Sequence, residues 1–267
     1  MIRVMISGAS GRMGQEVAKA VLAADDLELV GAMDPFGKGQ DIGALVGAGA
    51  NGIQIANNLS DEIARSKPEI VIDFTVPSAV YNNVLTYLEH GVFPVVGTTG
   101  MNLEAVNDLI DRSEKAGVGG LIAPNFALGA VLMMRFAAEA ARFFPNVEVI
   151  ELHHDQKVDA PSGTAKTTVE MILEQRDDFQ QGPLNETENI SGVRGGKLAG
   201  GVRIHSIRLP GLVAHQEVLF GGLGQTLSIR HDTISRESFI PGVILAARKV
   251  KGLKKIIYGL DKLLFNN

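Results

Sequence analysis

Val4-Met5-Ile6-Ser7-Gly8-Ala9-Ser10-Gly11-Arg12-Met13-Gly14 begins as an apolar run, stops at a glycine and reopens as a helix. Helix formers fill Gln15 to Ala24, with Val17, Val21 and Leu22 at helical spacing. Leu27 to Met33 is a second apolar run and ends at Asp34. Strand, turn, helix, strand is the opening of a doubly wound sheet. Glycines spaced G-x-x-G-x-x-G let backbone N–H groups approach a pyrophosphate, and the helix N-terminus adds partial positive charge. Gly8, Ala9, Ser10, Gly11, Arg12 and Met13 are therefore candidate dinucleotide contacts. The spacing departs from the usual G-x-G-x-x-G, and a tight turn without a ligand would look similar. Arg12 tilts the choice, because a cation in a first helical turn opposes the helix dipole unless a phosphate faces it. Asp34, at the second strand's end, can accept from adenosine ribose hydroxyls, and a strand-end turn residue before Pro35 would look the same.

The unit recurs downstream. Ile70 to Phe74, Phe93 to Val96 and Gly120 to Ile122 read as buried strands, with helices expected over Ser78–His90 and Leu103–Lys115. Their C-terminal ends lead into Gly97-Thr98-Thr99-Gly100 and Ala123-Pro124-Asn125-Phe126. Either loop taken singly reads equally as a plain turn, but together with the first they line the sheet edge where open α/β sheets bind ligands, so Gly97, Thr98, Thr99, Ala123, Pro124, Asn125 and Phe126 join the cofactor candidates. After Asn125 the pattern changes. Helices are expected over Ala130–Phe144 and Thr164–Gln175, and strands over Val147–His153, Val202–Arg208, Gln216–Phe220 and Thr226–Arg230. A long polar, glycine-rich loop is expected over 176–200, and helices over Phe239–Val250 and Lys255–Leu264. The fold class is α/β: a Rossmann-like doubly wound parallel sheet plus a second α+β domain with an open mixed sheet. Residues 1–125 with 236–267 form the expected dinucleotide-binding domain. Residues 126–235 form the expected substrate-binding and oligomerisation domain.

Composition narrows the partners. A net charge of −5 argues against a nucleic-acid or anionic-membrane surface, which needs a basic field. The chain of 267 residues has no cysteine, which removes disulfides, thiolate metal sites and a cysteine nucleophile. No metal site is expected. Met1 to Gly8 is too short for a signal-peptide core, so none is expected, and no apolar run approaches the ~20 residues of a membrane helix. The expected location is the cytoplasm.

Glu151-Leu152-His153-His154-Asp155-Gln156-Lys157-Val158-Asp159-Ala160-Pro161-Ser162-Gly163-Thr164-Ala165 carries the chemistry. Two imidazoles and an ammonium precede a Pro-Ser-Gly-Thr turn that opens a helix. Ser162 can cap that helix, its first amides can hold an anion, and Gly163 permits close approach of a carboxylate. Histidine and lysine beside an anion site can bind a negatively charged substrate and hand it a proton. Consecutive residues of a strand face opposite ways, so one of His153 and His154 could equally be structural.

These residues together resemble the 4-hydroxy-tetrahydrodipicolinate reductase (dihydrodipicolinate reductase) family of the diaminopimelate route to lysine. The resemblance spans essentially the whole chain. It rests on Gly8 to Gly14, Asp73-Phe74-Thr75, Gly97 to Gly100, Ala123 to Phe126, His153 to Ala165, and Arg208 to Glu217. It implies a homotetramer built through the second-domain sheets, and hydride transfer from NADH or NADPH to a small cyclic dicarboxylate with loss of water. It implies His153 as general acid/base and Lys157 as proton donor, with the delivering group left open between them. It implies His154, Gly163 and Thr164 as substrate contacts. Some members carry an arginine after the ribose-binding acid. Pro35 stands there in this chain, so the expectation leans to NADH or dual use, with Lys38 close enough in sequence to offset Asp34. Two other readings stay open: a nicotinamide-dependent reductase of another dicarboxylate or imine, and a nucleotide-sensing subunit without catalysis.

Overall fold

The computed structural model describes residues 1–176 and 185–265. In chain order its main elements are β1 (Ile2–Ser7), α1 (Arg12–Ala23), β2 (Leu27–Met33), α2 (Ile42–Leu45), β3 (Ile55–Ala56), α3 (Leu59–Ser66), β4 (Ile70–Asp73), α4 (Pro77–Glu89), β5 (Phe93–Val96), α5 (Leu103–Ala116) and β6 (Gly120–Ile122). There follow α6 (Leu128–Ala141), β7 (Asn146–His153), α7 (Gly163–Leu173), β8 (Gly196–Lys197), β9 (Arg203–Arg208), β10 (Ala214–Gly222), β11 (Gln225–Thr233), α8 (Ile240–Lys249), β12 (Ile256–Tyr258) and α9 (Leu260–Phe265). The chain divides into two compact units, Met1–Phe126 with Phe239–Asn267, and Ala127–Ser238.

In the first unit the sheet runs β12-β6-β5-β4-β1-β2-β3, every neighbour parallel. The order reverses between β1 and β4, where an open α/β sheet forms its ligand crevice. Both faces are covered, so the strands are continuous apolar runs; all four residues of β4 are buried. α1 buries Gly14, Val17, Ala18 and Val21 at helical spacing. α5 shows its sequence logic at both ends: Asn102 caps the Ala105 amide at 2.8 Å, and Gly117 closes the helix at φ +66°.

The second unit holds a mixed sheet, β11-β10-β7-β9-β8, in which β7 pairs antiparallel to β10 and parallel to β9. Val147, Val149, Ile204, Val218 and Phe220 are buried in this unit, as are Ala137 of α6 and Val169 and Ile172 of α7. A buried polar link joins helix to sheet: Gln216 Nε2 donates to Thr168 Oγ1 at 2.7 Å.

Three departures from the sequence expectations are informative. Lys255–Leu264 is not one helix. Ile256-Ile257-Tyr258 forms β12 beside β6, and Gly259 at φ +101° turns the chain into the short α9. A three-residue β-branched and aromatic run is too short for periodicity to separate strand from helix. β3, of two residues, and α2, of four, are too short for the same reason, whereas α3, eight residues capped by Asn58, carries a helical pattern that the sequence expectations do not include. The long loop expected over 176–200 lies partly outside the described residues, and its described part contains β8.

Candidate active site

The turn after β1 is built by close approach. Gly8 has φ +81°, and a Cβ there would stand 2.4 Å from the Phe74 carbonyl oxygen of the neighbouring strand end. Gly14 presses α1 onto the same turn, since a Cβ there would lie 2.1 Å from the Gly8 oxygen. The turn's amides are already engaged. Gly8 and Ala9 donate to the Met33 carbonyl at 2.9 and 3.2 Å, and Gly11 donates to Gly8 at 3.1 Å. Ser10 N donates to Asp34 Oδ2 at 3.0 Å. An anion would therefore meet the first-turn amides of α1, which has Gly11 at its N-cap and no side-chain cap. Arg12 is exposed at that helix start. The uncapped helix tip and the glycine cradle fit a dinucleotide phosphate.

Asp34 is 6% exposed, and its other oxygen accepts from Phe36 N at 2.9 Å. Each carboxylate oxygen keeps a further lone pair for a ribose hydroxyl. Gly8, Ser10, Gly11 and Asp34 line one cleft of about 400 Å³, with Phe36 and Thr75 also on its wall. Lys38 lines a different cleft, with Glu62 and Arg65. Thr98, Thr99 and Pro124 line a third, smaller one. Gly97 faces the Phe74 ring at a distance that admits no side chain, and Phe74 packs on Phe126 with centroids 5.9 Å apart. Ala9, Ala123 and Phe126 are buried, so their side chains are packing groups. Asn125 is half-buried and Met13 likewise.

Beneath these loops lies Asp73, the last residue of β4 and fully buried. Oδ1 accepts from Thr75 N at 3.0 Å, Thr75 Oγ1 at 2.7 Å and Thr98 Oγ1 at 2.8 Å. Oδ2 accepts from Asn83 Nδ2 at 3.1 Å and the Tyr87 hydroxyl at 2.7 Å. One carboxylate thus ties the loop after β4 to the loop after β5. Burial, and then the neighbouring Asp73, push the Tyr87 phenol well above its ordinary pKa, so it stays a donor.

In the second unit His153 ends β7, with Nδ1 2.5 Å from Glu151 Oε2. Glu151 is fully buried, and Arg208 grips it with Nη2 to Oε1 at 2.8 Å and Nη1 to Oε2 at 2.9 Å. Burial alone would raise the Glu151 pKa. Hydrogen bonds from His153, Arg208 and Ser206 outweigh it and hold the carboxyl at about 2. His154 lies beyond the strand and is exposed. Lys157 Nζ donates to Asp159 Oδ1 at 2.6 Å. The Ala160–Pro161 peptide bond is cis. Ser162 caps α7, accepting from Ala165 N at 3.2 Å. A Cβ on Gly163 would meet nothing within 4 Å, so the helix tip is open at that point, and Thr164 follows half-buried. His153, Lys157 and Gly163 belong to one continuous stretch, and the Glu151–Arg208 pair braces it.

Glu151, Asp73 and Arg208 stand inside the sequence motifs above, yet their part in the site emerges only from their contacts. The signal was present for two of them: a carboxylate at a buried position of a strand pattern must be satisfied by specific partners. Phe36 gave no such signal; it is 91% exposed on the wall of the Asp34 cleft. Among the described residues no helix is long and apolar enough to cross a membrane.

Residues 2–126 match the family model described as dihydrodipicolinate reductase, N-terminus, and residues 129–264 match that of its C-terminus. The chain is 51% identical over 264 residues to the 4-hydroxy-tetrahydrodipicolinate reductase of Desulfitobacterium hafniense (strain DSM 10664 / DCB-2), covering 98% of each. It is 53% identical to that of Listeria monocytogenes serotype 4b (strain CLIP80459), covering 98% of this chain and 100% of the relative. The solved structure of dipicolinate-bound dihydrodipicolinate reductase from Paenisporosarcina sp. TG-14 superposes with a TM-score of 0.87 at 44% identity, over 98% of this chain and 99% of that one.

Proposed function

The chain belongs to the dihydrodipicolinate reductase family, and from that premise we propose that it reduces 4-hydroxy-tetrahydrodipicolinate to tetrahydrodipicolinate with loss of water, using NADH or NADPH. The observation that carries this reading is identity above half over essentially the whole length to reductases of that name. Residues 1–125 with 236–267 hold the dinucleotide, and residues 126–235 bind the dicarboxylate and assemble a homotetramer in the cytoplasm. Ile150, Leu152 and Ile207 are only half-buried in the single chain, and Leu219 is 38% exposed, which supports an assembly surface on the mixed sheet.

The reduced nicotinamide, when bound, supplies a hydride. The residues of the second unit handle the substrate. First-turn amides at Gly163 and Thr164, with His154 and Lys157, provide positive partners for two carboxylates. Loss of the hydroxyl leaves an imine in conjugation with a C=C bond. Hydride addition at the conjugated carbon leaves an enamine-like anion that needs one proton. His153 Nε2 or Lys157 Nζ delivers it, a step worth about 10²–10⁴-fold.

In the first unit, the cleft carboxylate of Asp34 and the absence of a cation at Pro35 favour a free ribose hydroxyl over a 2′-phosphate. The expected KM for NADH is at or below that for NADPH. The test is turnover of both nicotinamides with freshly prepared substrate, which should be consumed only when that substrate is present. His153→Gln and Lys157→Ala should each lower kcat by roughly 100-fold or more. Wild-type turnover in both variants would remove the assigned roles, and a tenfold NADPH advantage would overturn the cofactor preference.

A further inference from the structure

Glu151 occupies a position where β7 calls for an apolar side chain. Val147, Val149 and Glu151 form the buried row of the strand. A carboxylate taken out of water persists there only if its lone pairs are met, and here they are. Arg208 meets both oxygens in the two-pronged geometry special to guanidinium, Ser162 N donates to Oε1 at 3.3 Å, and His153 Nδ1 reaches Oε2. The same Arg208 donates through Nη2 to the Asp159 carbonyl at 2.8 Å, which ties down the loop carrying Lys157. Residues 57 apart in sequence therefore fix both candidate proton carriers from below.

We propose that Glu151, clamped by Arg208, is a positioning residue that sets the orientation and ring tautomer of His153. Glu151 holds no proton at working pH, since its hydrogen bonds keep its pKa at about 2. The proton shared across the 2.5 Å contact therefore belongs to Nδ1. Nε2 is then the nitrogen left to face the substrate, as an acceptor in the neutral ring and a donor in the charged one. A histidine without this brace would populate the other tautomer and rotate about its side-chain bonds, losing the geometry that proton transfer requires. The kinetic part of the proposal rests on the reductase reading; the tautomer part does not.

The experiment is nitrogen-15 NMR of the full-length protein with the His153 ring assigned by its loss in His153→Gln, alongside steady-state kinetics of Glu151→Gln. The expected wild-type spectrum has the neutral ring protonated on Nδ1, with that proton far downfield as a short bond to a carboxylate demands. Glu151→Gln should lose the downfield proton and lower kcat by about 100-fold or more, while KM for the dinucleotide stays within about threefold. Glu151→Asp should restore part of kcat. A wild-type ring protonated on Nε2 would overturn the proposal even if the variant failed to fold. So would a folded Glu151→Gln protein that lost thermal stability but kept wild-type kcat. A wild-type protein without turnover on the dicarboxylate would sink the reductase reading and leave the ring-proton result to decide the role of Glu151.

Discussion

Replacing Asp73 by asparagine keeps shape and volume but changes what the end of β4 can accept. Five donors converge on the native carboxylate. If the asparagine oxygen takes the Oδ1 place, its NH₂ faces two donors, Asn83 Nδ2 and the Tyr87 hydroxyl. Tyr87 can rotate to accept. Asn83 can do so only by turning its amide, which forfeits its bond to Thr75 Oγ1 at 3.3 Å. A hydrogen bond to a charged group contributes roughly 1.5–3 kcal/mol and a neutral one roughly 0.5–1.5. Weakening three bonds and straining two more therefore costs about 3–5 kcal/mol, a large share of the 5–15 typical of a domain. For a unit of this size that is a fall in Tm of roughly 6–20 °C. Tyr87→Phe removes a single donor and should cost about 1–3 kcal/mol, and much less when added to Asp73→Asn, because the interaction is already broken. The measurement is a calorimetric or circular-dichroism melt of the four proteins of this cycle, with dinucleotide KM taken in parallel. Thr75 and Thr98 keep an acceptor but exchange a carboxylate for a neutral amide oxygen, so their shared anchor weakens and KM should rise with the loss of stability. An Asp73→Asn protein melting within about 2 °C of wild type would refute the idea that this carboxylate holds the two loops together.

Three more outcomes follow from the geometry. Gly14→Ala, which in an exposed helix would stabilise by about 1 kcal/mol, should instead lower Tm and raise dinucleotide KM at least roughly tenfold, because the new Cβ lands on backbone atoms of Gly8 and Ala9; a stabilised, fully active variant would contradict the close approach. Gly163→Ala meets open space, so its melt should be unchanged or up by about 1 kcal/mol, while KM for the dicarboxylate rises with KM for the dinucleotide unmoved; an unaffected substrate KM would remove the α7 tip from the binding site. Glu151 has a folded-state pKa depressed from 4.5 to about 2, so its contribution is present above pH 4.5 and lost as pH falls toward 2. Acid titration of stability should show about 3 kcal/mol disappearing across that window, and Glu151→Gln should flatten the curve there; identical curves would mean that the buried carboxylate is not held ionised.

The parts of the fold that were legible in the sequence are those fixed by local periodicity. β1, α1 and β2 announced themselves because glycine, an amphipathic stripe and an apolar run succeed one another within thirty-odd residues. β12 did not, because three apolar residues become a strand only by lying against β6, more than a hundred positions earlier. The site divides along the same line. His153, Lys157 and Gly163 fall in one short stretch and could be read together. What engages each polar group could not be read, since that depends on distant partners. The sequence suggests that the amides of the Gly8 turn face a phosphate, yet most of them are bound to Met33 and Asp34, which leaves the first-turn amides of α1 as the donors an anion there would meet. Asp34 braces the turn through Ser10 and lines the cleft, so in the proposed site it would hold the turn and meet the ribose at once. A substitution there that loses cofactor affinity reports on turn geometry as well as ribose contact. Asp34→Asn, which retains one acceptor for Ser10 N, separates the two better than Asp34→Ala, which removes both.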